Sequence, residues 1–148
     1  MRSSSILAAL LAFAIPSVAM AAADIAVHRD PGCGCCEKWA NQVRQQFARR
    51  VVIIDDGQRA AFQRAKGVPG RLSSCHTAIV DGMVFEGHVP IADMKRVLAQ
   101  RPRGVTGLAV AGMPMGSPGM EVRGQAPQPY NVIAFGPGGE KVFARHGR

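Results

Sequence analysis

Short apolar runs alternate with amphipathic segments through the middle of the chain, and this alternation constrains the fold more than any other feature. Trp39, Val43 and Phe47 lie at helical spacing, and the run that follows them, residues 51–54, is apolar throughout. The predicted strands are 25–28, 51–54, 77–80 and 83–86, and the predicted helices are 37–50, 58–66 and 91–100. The order β-α-β-α-β-β-α predicts an α/β, thioredoxin-like domain in which 51–54 is a central strand.

Two turn signals predict hairpins. Asp81-Gly82 separates two apolar runs, and an Asp-Gly pair in that position is a strong hairpin signal. A Gly-Pro-Gly-Gly turn separates residues 131–135 from 141–144, which predicts a second hairpin near the C-terminus. Between the last helix and this hairpin, residues 104–129 are rich in Gly, Pro and Met and show little periodicity, so we expect a loop there.

Residues 1–23 are typical of a secretory signal peptide. Arg2 precedes a ten-residue apolar run, and small residues around Ala21 and Ala23 fit the cleavage rule. The run is too short to span a bilayer, which needs about 20 residues, and no other stretch is long and apolar enough. We therefore predict an exported, periplasmic protein without a membrane span, in which residues 24–148 form one thioredoxin-like domain.

The net charge of +8 permits nucleic acid or anionic lipid as a partner. The basic residues are, however, spread over several segments, and no aromatic side chains interleave with them as a base-stacking surface requires. We expect a solvated basic surface and no nucleic-acid partner.

Four cysteines are the main candidates for chemistry. Cys33 and Cys36 have C-x-x-C spacing at the start of a predicted helix, where backbone N–H groups and the helix dipole stabilise thiolates. Cys35 is a third thiol in the same turn, and three neighbouring thiolates repel one another unless a cation neutralises them. In the predicted fold, the loop carrying Cys75 packs against this turn. The cluster predicts a soft-metal site, for Cu(I) first and Zn(II) second, with dithiol redox chemistry or static disulfides as alternatives.

Two histidines are candidate additional ligands. His76 follows Cys75 directly, and His88 follows the predicted hairpin, so that both could reach the same end of the sheet. Imidazole suits copper and zinc alike, whereas the ordinary alternative for each residue is a hydrogen-bonded histidine. His28 and His146 are weaker candidates.

Three methionines crowd into eight residues of the Gly/Pro-rich segment, at Met113, Met115 and Met120. A thioether is a soft ligand that cannot form a disulfide, which suits Cu(I) in an oxidising compartment. The alternative is methionine as an adaptable filler of the core. We also expect this segment to cover the thiols as a flap.

Four motifs in the mature chain carry a family resemblance. They are Asp30-Pro31-x-Cys33-Gly34-Cys35-Cys36-x-x-Trp39, Ser74-Cys75-His76-Thr77-Ala78, Glu86-Gly87-His88-Val89-Pro90 and Gly107-Leu108-Ala109-Val110-x-Gly112-Met113-Pro114-x-Gly116-Ser117-Pro118-Gly119-Met120-Glu121. With them, essentially the whole mature chain resembles the CopG-type copper-resistance proteins. The resemblance implies a periplasmic thioredoxin-like fold and a cysteine-bridged multinuclear copper site at the four cysteines. It also implies a part in copper detoxification through interconversion of Cu(I) and Cu(II).

The leading hypothesis is a periplasmic copper-binding protein that holds Cu(I) for copper resistance. Its partners would be copper ions and other periplasmic copper-handling proteins. The protein could also be an enzyme that oxidises or reduces copper, although the sequence favours metal binding over catalytic turnover. The main alternative is a thiol–disulfide oxidoreductase with Cys33 as nucleophile and Cys36 as resolving thiol. A structural zinc domain is a weaker third, since this core needs no metal to fold.

Overall fold

A computed structural model describes residues 23–147 of the chain. The predicted signal peptide therefore lies, apart from Ala23, outside the described residues. The elements, in chain order, are β1 (Ile25–Arg29), α1 (Gly34–Phe47), β2 (Val51–Asp55), α2 (Arg59–Ala65), a 3-10 turn (Gly70–Leu72), β3 (His76–Val80), β4 (Met83–Glu86), α3 (Ile91–Gln100), β5 (Gly107–Ala109), β6 (Tyr130–Phe135) and β7 (Lys141–His146).

The strands form one seven-stranded mixed sheet in the order β2-β1-β3-β4-β5-β6-β7. The β1–β2 and β4–β5 pairs are parallel, and the other neighbouring pairs are antiparallel. The α/β class, the element order through α3 and both hairpins are as the sequence predicts. At the β3–β4 turn, Asp81 and Gly82 both have positive φ, 47° and 79°, as a type I′ turn requires. That the arrangement is thioredoxin-like stays a prediction.

The prediction that residues 51–54 form a central strand is wrong. β2 is an edge strand that pairs only with β1, and Ile54 is 37% exposed. Val51, at the start of the strand, is buried in the core with Ile25. An uninterrupted apolar run indicates that its residues favour burial, but it does not indicate how many strands lie beside it.

The prediction of an irregular loop over residues 104–129 misses β5. This three-residue strand is buried between β4 and β6, and it joins the C-terminal hairpin to the rest of the sheet. Three residues are too few to show a strand period. Gly107 fits there because a Cβ at this position would collide with the carbonyl oxygen of Val84. The addition of β5 places the start of the Met-rich segment beside the end of β4.

Trp39 anchors α1 to the sheet. Its ring is fully buried in the main core, and its indole N–H donates to the carbonyl oxygen of Val89 at 2.9 Å. This fixes the N-terminal half of α1 against the segment that follows β4. Among residues 23–147, none of the helices combines the length and apolar character that a bilayer crossing demands.

Candidate metal centre

The turn from Cys33 to Cys36, here called the cysteine turn, opens α1 as the sequence predicts. Cys33 is the N-cap residue, and its Sγ accepts a hydrogen bond from the backbone N–H of Cys36 at 3.3 Å. Cys36 shares the buried face of α1 with Trp39, whereas Cys33 and Cys35 are partly exposed. A disulfide joins Cys33 to Cys36, whose Cα atoms are 5.4 Å apart. Cys35 and Cys75 are free thiols.

Cys75 lies directly opposite the cysteine turn. It precedes β3, and its carbonyl oxygen accepts the N–H of Asp30 at 3.0 Å, which ties its segment to the end of β1. Its Sγ is 3.3 Å from the Sγ of Cys36, and the sulfurs of Cys33 and Cys35 are 3.4 Å apart. All four sulfur atoms lie within 4.8 Å of one another, so the structure brings together the four predicted thiols.

Two imidazoles complete a second, overlapping group around Cys75. The Sγ of Cys75 is 3.6 Å from Nδ1 of His76 and 3.3 Å from Nε2 of His88, and all three residues are buried. His88 Nδ1 lies 2.8 Å from the carbonyl oxygen of Pro118, so Nδ1 carries the proton and Nε2 faces the thiol. Among the described residues, Nε2 of His76 is buried without a hydrogen-bond partner.

Burial disfavours the charged forms of His76, His88 and Cys75 in this pocket. Burial lowers the pKa of His76 well below its ordinary value of 6.5, and the nearby His88 adds to this shift. Burial likewise lowers the pKa of His88. The pKa of the Cys75 thiol rises to about 12, mainly through burial and then through the neighbouring Cys35. A bound cation would lower the pKa of the Cys75 thiol, because it stabilises the thiolate. The imidazoles are already favoured in the neutral form that binds a metal. The donor set therefore fits a soft metal ion.

We expect the metal-free protein to lose stability as the pH falls below about 6.5. Because the pKa values of His76 and His88 are lowered in the folded state, the unfolded chain binds protons that the folded chain does not. The stability these groups contribute is complete above the ordinary value and declines below it, by up to about 1.4 kcal/mol per pH unit for each histidine. Urea unfolding between pH 7.5 and 5 measures the decline.

A His88→Gln variant provides the comparison for this measurement. It removes one of the two imidazoles, so its stability should fall less steeply with decreasing pH. Burial raises the pKa of Glu86, which acts in the opposite sense, but Glu86 is common to both proteins and cancels in the difference. Equal slopes in the two proteins would contradict the prediction.

Residues 112–121, the Met loop, lie against the cysteine turn as the predicted flap would. A Cβ added at Gly119 would come within 2.7 Å of the Cys35 carbonyl oxygen and 2.9 Å of the Trp39 nitrogen, so only glycine allows this contact. The methionine side chains are less enclosed, with Met113 53% exposed and Met115 and Met120 partly buried. Their role as ligands stays a prediction.

The two weaker histidine candidates lie outside the cluster, in interactions of their own. His28 stacks on Phe62 and bonds Asp56 through Nδ1 at 2.9 Å. His146 bonds Asp93 through Nε2 at 2.6 Å. Neither belongs to the sulfur and imidazole groups formed by the described residues.

Glu86 is a buried acidic residue beside the site, which opens one of the four sequence motifs but for which no role was predicted. Its side chain is fully buried at the end of β4, next to the segment that carries Cys75. The available signal was a lone glutamate at the end of an otherwise apolar strand, Met83–Glu86. A buried carboxylate needs several hydrogen-bond donors, and these come from residues distant in sequence.

Known proteins resemble this chain across both the fold and the candidate site. A family model described as "Protein of unknown function, DUF411" matches residues 72–120, which include Cys75, His76, His88 and the Met loop. A solved structure described as "Copper resistance protein copG- Form 1" is 35% identical and has a TM-score of 0.77, with 86% of this chain and 100% of that chain covered. A second, "Copper resistance protein copG- Form 2", is 36% identical with a TM-score of 0.75, covering 83% and 97%. No curated protein sequence matches the chain.

Proposed function

The chain belongs to the CopG family of copper-resistance proteins, and from this premise we propose that it is a periplasmic protein that holds Cu(I) for copper resistance. The observation that carries the proposal is the convergence of four sulfur atoms within 4.8 Å. Cys33, Cys36 and Cys75 are the main thiolate ligands, and Cys35 bridges or completes the cluster. Sulfurs this close can bridge several copper ions.

The donor chemistry favours Cu(I) over Zn(II). Thiolates are the preferred ligands of Cu(I), and their number here exceeds what a dithiol couple uses. His76 and His88 add nitrogen donors that also tolerate Cu(II). Interconversion of Cu(I) and Cu(II) at this site, through loss or gain of one electron per ion to an external redox partner, is the finer part of the proposal.

Loading with more than one copper ion requires the dithiol form of the cysteine turn. Reduction of the Cys33–Cys36 bond consumes two electrons and two protons from an external dithiol, which itself becomes a disulfide, and it frees two sulfurs for copper. The Met loop, which lies against the cysteine turn, covers the loaded site. Met113, Met115 and Met120 serve as exchange ligands toward other periplasmic copper-handling proteins, since thioethers bind Cu(I) without oxidising to disulfides.

A thiol–disulfide oxidoreductase is the second candidate function, and the disulfide favours it. Cys33 is partly exposed at the helix N-terminus whereas Cys36 is buried, which matches an attacking and a resolving thiol. In this case Cys33 would attack the disulfide of a client protein to form a mixed disulfide, and Cys36 would attack that bond, which releases the reduced client and leaves the Cys33–Cys36 disulfide.

Metal analysis of the purified chain tests these functions. The protein, recovered from cells that express the full sequence, is reduced, kept anaerobic and analysed for metal after exposure to Cu(I), to Zn(II) or to neither. More than one retained copper per chain, with less zinc, supports the copper proposal. Rapid reduction of insulin disulfides without retained copper overturns it in favour of the oxidoreductase.

A further inference from the structure

The carboxylate of Glu86 holds the segment that leads into Cys75. Its Oε1 accepts the backbone N–H of Ser74 at 2.7 Å and the side-chain amide of Gln63 at 2.6 Å. Its Oε2 accepts the hydroxyl of Thr77 at 2.6 Å. Ser74 and Thr77 flank Cys75 and His76 in sequence, so this one carboxylate binds the backbone before the proposed ligands and a side chain after them.

Arg59, on α2, extends this contact to the cysteine turn. Its Nη1 is 3.6 Å from Glu86 Oε1, an ion-pair distance, and its Nε donates to Asp30 Oδ1 at 2.6 Å. Asp30 lies three residues before Cys33, and its carbonyl oxygen accepts the N–H of Cys33 at 3.1 Å. The Arg59 side chain is 10% exposed. One guanidinium therefore connects Asp30, which precedes the cysteine turn, with Glu86, which holds the Cys75 segment.

We infer that Arg59 and Glu86 are positioning residues that set the separation between Cys75 and the cysteine turn. They touch no sulfur, and they act through Ser74 on one side and through Asp30 on the other. The part of this inference that concerns copper rests on the proposed function. The part that concerns the separation of the thiols does not.

Stability alone is a weak explanation for this ion pair. A buried ion pair often contributes no more to stability than well-packed apolar side chains of the same volume. What apolar side chains cannot supply is the set of directed hydrogen bonds to Ser74, Thr77 and Asp30. We therefore expect the pair to be needed more for the geometry of the site than for folding.

Disulfide formation between Cys36 and Cys75 measures their separation without copper. Their sulfurs are 3.3 Å apart, and substitution of Cys33 and Cys35 by serine leaves this pair alone. Equilibration with oxidised dithiothreitol forms the Cys36–Cys75 bond, and the two protons and two electrons released convert the reagent to its dithiol. We expect Arg59→Met and Glu86→Gln, in this background, each to lower the equilibrium constant about tenfold, since each removes a charge-assisted contact.

Copper affinity is the second readout, in the chain with all four cysteines. Competition with a chromophoric Cu(I) chelator should show a loss of about 10- to 100-fold for Arg59→Met and Glu86→Gln, typical of residues that orient ligands. Arg59→Lys keeps the positive charge and should recover part of the lost copper affinity. Arg71→Met and Glu140→Gln are the matched controls, because they break an Arg–Glu pair outside the site, and both readouts should stay within about twofold of the parent protein.

The outcomes separate the two proposals. If the parent chain binds no copper, the proposed function fails, and the disulfide equilibrium still tests the positioning. Equilibrium constants within twofold of the parent for both variants would overturn the inference. If Arg59→Met does not fold, Asp30→Asn tests the same contact from an exposed carboxylate, and Glu86→Gln tests the other end with an isosteric side chain. An unchanged equilibrium constant for the Cys36–Cys75 disulfide in Asp30→Asn and Glu86→Gln would also overturn the inference.

Discussion

Substitution of Cys75 by serine is expected to abolish multinuclear copper binding and to leave at most one weakly held ion per chain. Cys75 Sγ is the atom shared by the two ligand groups, because it belongs both to the four sulfurs and to the set with His76 and His88. Serine keeps the volume and the local backbone, but its hydroxyl is a hard donor with little affinity for Cu(I). Metal analysis of the reduced, anaerobic variant after desalting gives the stoichiometry.

Cys35→Ser is the matched control for this substitution. The chemical change is the same, but Cys35 is partly exposed and belongs only to the sulfur group. We expect this variant to retain more copper than Cys75→Ser, because the pair of Cys36 and Cys75 and the two imidazoles stay in place. Retention of the parent stoichiometry by Cys75→Ser would remove the basis for a shared copper centre.

The convergence of the thiols could be predicted from the sequence because it follows from topology. Cys33 and Cys36 begin a helix that follows β1, and Cys75 precedes β3, which lies directly beside β1 in the sheet. The hairpin signal at Asp81-Gly82 predicts β3 and β4, and the thioredoxin-like order of elements predicts that β3 lies beside β1. The structure pairs β3 antiparallel to β1, so the start of β3 lies beside the end of β1.

Other features could not be predicted because they depend on packing between distant segments. The edge position of β2 and the existence of β5 are decided by which strands pair, and short apolar runs carry no such information. The contact of Gly119 with the cysteine turn requires the path of the Met loop. The network around Glu86 draws its donors from α2 and from both ends of the Cys75 segment, so no local pattern signals it.

The oxidation state of the cysteine turn is expected to control copper binding. With the Cys33–Cys36 disulfide intact, two of the four sulfurs have no thiolate charge and only Cys35 and Cys75 are free. Of these, Cys75 still has His76 and His88 beside it and can hold a single ion. We therefore predict more than one copper per chain in the dithiol protein and at most one in the disulfide protein, measured after Cu(I) exposure under anaerobic conditions.

A Cys33→Ser variant distinguishes this control by oxidation from the loss of a ligand. The variant cannot form the Cys33–Cys36 bond. Treatment that restores this disulfide in the parent protein should therefore lower the number of bound copper ions more in the parent than in the variant. Thiol counting checks that Cys36 and Cys75 have not paired instead. The full copper complement in the disulfide form would contradict the prediction. It would mean that the imidazoles and free thiols are sufficient for the centre. If copper is lost on oxidation, the two-electron oxidation of Cys33 and Cys36 to a disulfide is the step that releases the metal.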